Sequence, residues 1–192
     1  MTDLSGILLV VIAVSVLTGC VLWFVVPLAT GLPWVPAREN RIRKALRMTG
    51  LQPGERLYDL GAGDGRVLIL AARDFGAYAV GIEISPVHCL IAWFRALLSG
   101  YNRQIRIRCG SFFSTGIEEA DVVFAYVTPG HASRLKPYLE KQLKNGVRVV
   151  TLSAEIEGWQ PDDIDNPDLV FLYHLPPTPG SIATYLSAKT TE

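Results

Sequence analysis

The tightest constraint on the fold is the stretch YDLGAGDGRV at residues 58–67. A short apolar segment, Arg56 to Leu60, runs into three glycines at alternate positions, Gly61, Gly63 and Gly65. An apolar helix pattern, Arg66 to Phe75, follows at once, and Gly76 ends it. Glycine lacks a Cβ, so this turn can adopt positive φ and let the backbone approach a ligand closely. Strand, glycine turn and helix in that order open a βαβ unit, which commits the chain to a parallel sheet.

The remainder repeats that alternation. A short helix is predicted over Glu39 to Met48. Tyr78 to Ile84 is predicted as the second strand, Pro86 to Leu98 as a helix with proline in its first turn, and Gln104 to Cys109 as the third strand. Asp121 to Val127 and Val147 to Leu152 are the fourth and fifth strands, with a helix from His131 to Leu143 between them. Asp168 to His174 and Ile182 to Ser187 read as two more, separated only by PPTPG at 176–180. With no helix between them they are expected to pair antiparallel. The predicted fold class is therefore α/β, a Rossmann-like doubly wound sheet, mostly parallel with an antiparallel terminal hairpin. Such sheets bind ligands beyond the carboxyl ends of their strands, where the glycine turn lies.

Two ligand classes use a glycine turn of this kind. Dinucleotides want G-x-G-x-x-G, with the pyrophosphate on free N–H groups at the helix start. In that register the third glycine would stand at Arg66, and Asp64 would face phosphate oxygens. A nucleoside with a cationic tail fits better. Asp59 can attract an ammonium or sulfonium, or order water against it. Glu83, at the end of the second strand, can accept hydrogen bonds from two ribose hydroxyls.

The D-x-G-x-G-x-G loop of Asp59, Gly61, Gly63 and Gly65, with Glu83 one strand later, resembles the class I, seven-β-strand methyltransferases that bind S-adenosylmethionine (SAM). The resemblance implies that Asp59, Gly61, Ala62, Gly63 and Gly65 line the methionine and ribose and that Glu83 holds the ribose. It also implies that Gly110, Ser111, Phe112 and Phe113 contact adenine, although family members often carry an acid where Ser111 stands. The strings 57-LYDLGAGDGRVLILAAR-73, 121-DVVFAYVTP-129 and 146-GVRVVTLSAEIEGWQPD-162 are similar to one branch of that superfamily. It contains membrane-anchored lysine methyltransferases of mitochondria, which modify the ATP synthase c-subunit or the adenine nucleotide carrier, and small prokaryotic members. Protein-lysine methylation is the activity this implies. Tyr126, in the place where the fold presents the acceptor, is the candidate catalytic residue, with Trp159 expected to wall the acceptor channel. The Asn/Asp-Pro-Pro-Tyr string of adenine and glutamine methyltransferases is absent there, which disfavours a planar amide or amino acceptor.

From Leu4 to Ala37 no side chain is ionisable except Cys20. Gly6 to Val26 is almost purely apolar and, as a helix, long enough at about 30 Å to cross bilayer hydrocarbon. Trp23 and Trp34 fall where an aromatic belt would sit, and Pro27, Gly31 and Pro33 are expected to end the helix. A cleaved signal peptide would need a positive n-region and a shorter core; here only Asp3 is charged ahead of the run. Arg38, Arg41, Arg43, Lys44 and Arg47 follow, which favours keeping that side in the cytoplasm and brings basic residues near anionic headgroups. The expected layout is an anchor at 1–35, a basic linker helix at 36–54 and a catalytic domain at 55–192. The protein would be single-pass, with the catalytic domain on the cytoplasmic side and the bilayer contacted through residues 6–26.

Lys and Arg number 18 and Asp and Glu 18, so no global field points to a nucleic-acid partner. Cys20, Cys89 and Cys109 are far apart, without metal-ligand spacing, and read as small apolar residues rather than a disulfide framework. No metal is expected. A membrane-associated protein is the expected substrate; a lipid, quinone or other lipophilic acceptor, or a non-catalytic SAM-binding scaffold, are the alternatives. Neither the acceptor nor the oligomeric state is written in the sequence.

Overall fold

The computed structural model describes residues 4–30 and 36–190, with the side chains of residues 22–30 outside the description. Helix α1, Leu4–Thr30, is followed by α2, Glu39–Met48. Strands β1 (Arg56–Leu60), β2 (Tyr78–Glu83), β3 (Ile105–Cys109), β4 (Val122–Tyr126) and β5 (Arg148–Leu152) alternate with α3 (Arg66–Phe75), α4 (Pro86–Ser99) and α5 (Pro129–Gln142). Strands β6 (Asp163–Asp165) and β7 (Val170–His174) and helix α6 (Ile182–Lys189) complete the described chain. The sheet order is β3-β2-β1-β4-β5-β7-β6. The first five strands are mutually parallel, and β7 runs antiparallel to both β5 and β6. The order reverses between β1 and β4, which puts the switch point of the fold at the glycine turn after β1.

Alternating strand residues feed two cores. Leu57, Phe124, Val150 and Leu172 face α2 and α3, whose Ile42, Leu46 and Leu68 are fully buried. Tyr58, Val123, Val149 and Tyr173 face the opposite way, toward Leu135 and Leu139 of α5. Helix α2 is bound into the first layer. Arg41 donates to the Asp168 carbonyl (2.6 Å) and Ser153 Oγ (2.9 Å), Arg43 pairs with Asp74 and Glu39, and Lys44 pairs with Asp165 and Asp168. Three of the five cations after the apolar run are thus engaged inside the protein.

Most elements lie where the periodicity puts them, but the end of the chain does not. Ile182 to Ser187 is a helix, not a strand. Ser181 Oγ accepts from Thr184 N–H while the Thr184 hydroxyl accepts from Ser181 N–H, a reciprocal cap that starts α6. Within it only Tyr185 is buried, three residues after half-buried Ile182, a helical spacing that a short apolar–polar alternation imitates. The antiparallel hairpin is instead β6 with β7. Strand β6, Asp-Ile-Asp, is too short and polar to show a strand pattern and is drawn into the sheet by its partner.

The cysteine reading also needs correction. Cys89 and Cys109 are paired as a disulfide, with Cα atoms 6.0 Å apart. Helix α4 covers β2 and β3, so the last residue of β3 meets the first turn of α4 although 20 residues separate them. Cys20 is free and exposed. Helix α1 is long and apolar enough to cross a membrane, and none of Leu4–Val21 is buried. It runs past Pro27 to Thr30. The Trp23 side chain, Gly31, Pro33 and Trp34 lie outside the described residues.

Candidate active site

The site begins with backbone. Gly61, Gly63 and Gly65 all have positive φ, and Gly65, at +77°, is the residue before α3. A side chain at Gly65 would also meet Ala92 of α4, whose Cβ lies 3.0 Å from an ideal Cβ position. Gly81 in β2 is as restrictive: a Cβ there would stand 2.7 Å from that of Ala62 and 2.6 Å from Leu68 Cδ1. The periodicity reads Gly81 only as a strand residue, yet its missing side chain lets the turn lie down on β2.

Four of the turn's N–H groups already have acceptors within the protein. Gly61 and Ala62 both donate to the Ile82 carbonyl (2.9 and 3.1 Å), and Gly65 donates to the Ala62 carbonyl (2.9 Å). Gly63 donates to Glu83 Oε2 at 2.8 Å. The other Glu83 oxygen accepts from Ser85 N–H at 2.8 Å. Two backbone donors therefore fix this carboxylate, leaving further lone pairs on both oxygens for a ligand. Such a turn has little to offer a phosphate.

Its charge points the same way. Asp59, Asp64 and Glu83 are all buried around the turn. Burial pushes the Asp59 carboxyl well above the usual range, and the neighbouring Glu83 and Asp64 charges push it further. Its Oδ2 is buried without a hydrogen-bond partner among the described residues. Burial also raises Asp64, but hydrogen bonds from Arg66 and the charge of Arg95 outweigh this and hold it below the ordinary value. Arg66 grips both Asp64 oxygens (2.9 and 2.7 Å) and donates to the Ala37 carbonyl (2.9 Å), a structural pairing. Arg95, the second partner of Asp64, was missed by sequence reasoning; its signal is that no other residue of α4 carries a fixed charge. Asp59 is left as the uncompensated acid, suited to a cation.

The other expected residues gather at the same edge of the sheet. Gly110 N–H donates to the Glu83 carbonyl (2.8 Å), which puts Ser111 and Phe112 next to Glu83. Phe112 is half-buried, its ring centroid 4.4 Å from that of Phe113 and 6.2 Å from that of Tyr138. Tyr126 ends β4, one residue past Ala125, which is paired with Leu60. Its ring face is covered by the Arg41 guanidinium, 5.4 Å from the centroid. Trp159 does not wall a channel. It is fully buried in the second core, donates to Glu140 Oε1 at 3.1 Å and meets Tyr173 edge-on. His131 sits in the first turn of α5, its Nδ1 2.9 Å from the hydroxyl of Thr128.

Residues 59–163 match the family described as the ANTKMT methyltransferase domain. A protein-lysine N-methyltransferase of Saccharolobus islandicus is 39% identical over 134 residues, which cover 69% of this chain and 83% of that one. The chain belongs to the ANTKMT methyltransferase family. A lysine N-methyltransferase of the ATP synthase c-subunit, from Xenopus laevis, is 30% identical over 75% of this chain, but only 64% of that longer protein is spanned. A solved structure described as an RNA methyltransferase from Salinibacter ruber in complex with S-adenosyl-L-homocysteine superposes with a TM-score of 0.72. It is 36% identical, over 73% of this chain and 94% of that one. A SAM-dependent methyltransferase from Thiobacillus denitrificans, also with S-adenosyl-L-homocysteine, gives 0.54 at 25% identity, over 61% of this chain and 49% of that one.

This member of the ANTKMT family is thus a SAM-dependent methyltransferase from a protein-lysine methyltransferase branch. The residues present fit that cofactor: an orphaned buried carboxylate oxygen at Asp59 for a cationic tail, a pre-oriented Glu83 for hydroxyls, and a turn with four N–H groups already used.

Proposed function

We propose that the protein is a membrane-anchored protein-lysine N-methyltransferase acting on a membrane-associated protein. Residues 1–35 form a single-pass anchor, 36–54 a basic linker helix, and 55–192 the catalytic domain on the cytoplasmic side. The reading is carried by one observation: a chain of this lysine-methylating family also bears α1, a helix of bilayer length with none of its Leu4–Val21 window buried. Tethering raises the local concentration of acceptors held in the same membrane.

Bound SAM supplies an electrophilic methyl group on a sulfonium. Asp59 faces the cationic methionine end, Gly61, Ala62, Gly63 and Gly65 form the floor, and Glu83 holds the ribose. Ser111 and Phe112 flank the adenine. Holding donor and acceptor in line is worth up to roughly 7–11 kcal/mol. A lysine must shed its proton first, and an apolar approach lowers its pKa without a dedicated base. Tyr126 orients the incoming amine. Its contact with Arg41 supports this, because the ring already takes a cation on one face.

Native membranes incubated with the full chain and methyl-labelled SAM test the proposal. Label is expected on lysine of an integral membrane protein. Label in the lipid extract would favour a lipophilic acceptor, and label in RNA would favour the chemistry named for the Salinibacter ruber structure. Tight SAM binding without transfer to any fraction would indicate a scaffold.

A further inference from the structure

Helix α4 is built inside out for the surface of a soluble domain. Its inner side buries small or polar residues: His88, Cys89, Ala92 and Ala96. Its outer side carries Leu90, Trp93, Phe94, Leu97 and Leu98, each between 45% (Leu97) and 71% (Leu98) exposed. The spacing i, i+3, i+4, i+7, i+8 makes one continuous apolar stripe, normally the stripe that faces the core. Soluble proteins rarely leave such a patch bare.

Two further observations say what covers it. Helix α1, the segment proposed above to lie in lipid, touches α4, the helix that carries the stripe. The local charge is also one-sided. From Ile84 to Ile117 the chain carries Arg95, Arg103, Arg106 and Arg108 but no Asp or Glu. Arg103, three residues past the Gly100 that closes α4, is exposed and makes no ion pair among the described residues. By contrast, Arg41, Arg43 and Lys44 of α2 are occupied by protein carboxylates, carbonyls and a hydroxyl. An apolar stripe with an unpaired cation just past its end fits the boundary between headgroups and acyl chains of an anionic bilayer.

We propose that α4 is a second membrane contact, with Leu90, Trp93, Phe94, Leu97 and Leu98 sunk at the lipid boundary and Arg103 against lipid phosphates. Helix α4 starts three residues after Glu83 of the cradle, capped by Ser85. Its docking therefore sets the height and tilt at which the active site meets the membrane, where α1 alone leaves the domain on a tether. The placement rests on the reading of α1 as a span, and the test separates the two.

The full chain, with Trp23 and Trp34 changed to Phe, keeps two tryptophans, Trp93 and fully buried Trp159. It is reconstituted into phosphatidylcholine–phosphatidylglycerol vesicles whose acyl chains are brominated. Trp93 is expected to emit at short wavelength and to lose most of its intensity to the brominated lipid, less so in pure phosphatidylcholine. A Leu90→Glu/Leu97→Glu variant should stay with the vesicles and keep its thermal shift with SAM, while the lipid-quenched fraction falls roughly tenfold. Flotation with Trp93 unquenched and emitting as in water overturns the α4 contact and leaves the α1 span standing. A chain that stays in the aqueous phase contradicts both. Trp93 shielded without lipid quenching, in cross-linked pairs or only on adding RNA, overturns the proposal in favour of a second copy or a nucleic acid.

Discussion

The two halves of the proposed active site, both at the carboxyl edge of one sheet, are built by different means. On the β1–β2 side the cradle is backbone: three positive-φ glycines, four N–H groups with internal acceptors, and a Glu83 carboxylate held by two amides. On the β4 side the proposed acceptor region is side chains from distant parts of the chain, with Tyr126 capped by Arg41 from α2 and Trp159 withdrawn into the core. A backbone cradle binds one shared cofactor and tolerates little change. A side-chain wall can be altered one residue at a time to suit a substrate.

The hardest test of that contrast is Gly63→Leu. A branched side chain at φ +53° is strained and fills the floor. SAM binding by calorimetry should disappear while the far-ultraviolet circular dichroism of the sheet persists. Unchanged affinity would break the cradle assignment. Glu83→Ala comes next and should weaken SAM by about 1.5–3 kcal/mol, the range for hydrogen bonds to a charged group. Glu83→Gln should lose less, because its carbonyl still accepts one N–H.

Asp59 sharpens the contrast through pH. Its carboxyl titrates well above the usual value in the folded chain, so the folded state holds a proton that the unfolded state has released. Stability should therefore fall as pH rises from the ordinary Asp pKa through the raised one. A cationic ligand prefers the ionised form, so SAM affinity should rise over the same window. Asp59→Asn should flatten both profiles, raising the apo Tm at neutral pH while weakening SAM. Affinity for SAM independent of pH in the wild-type chain would contradict the pairing. The smallest effect belongs to the acceptor side. Tyr126→Phe should leave SAM affinity unchanged and lower kcat by no more than roughly tenfold, the scale of one neutral hydrogen bond.

The same division decides how much could be read from the chain alone. The glycine turn, Glu83 and the alternation through β5 are local signals, and each lies where periodicity and turn chemistry put it. Strand β6 leaves no pattern because a three-residue Asp-Ile-Asp segment owes its pairing to β7, and α6 departs from the strand expected there because a capping box outweighs a brief alternation. Arg95 on Asp64, Arg41 on Tyr126 and Cys89 beside Cys109 join residues 31, 85 and 20 positions apart. Nothing in their immediate neighbours marks them, and only the folded sheet brings them together. Gly81 shows the same limit within a strand, since its reason is the Ala62 methyl pressed against it from the turn.

A crystal structure of the chain with S-adenosyl-L-homocysteine tests the central claim most directly. The ribose hydroxyls should bond Glu83, the amino end should lie beside Asp59 Oδ2, and the adenine should rest against Phe112. An adenosyl group bound elsewhere, or a cradle closed by the protein's own side chains, would contradict it.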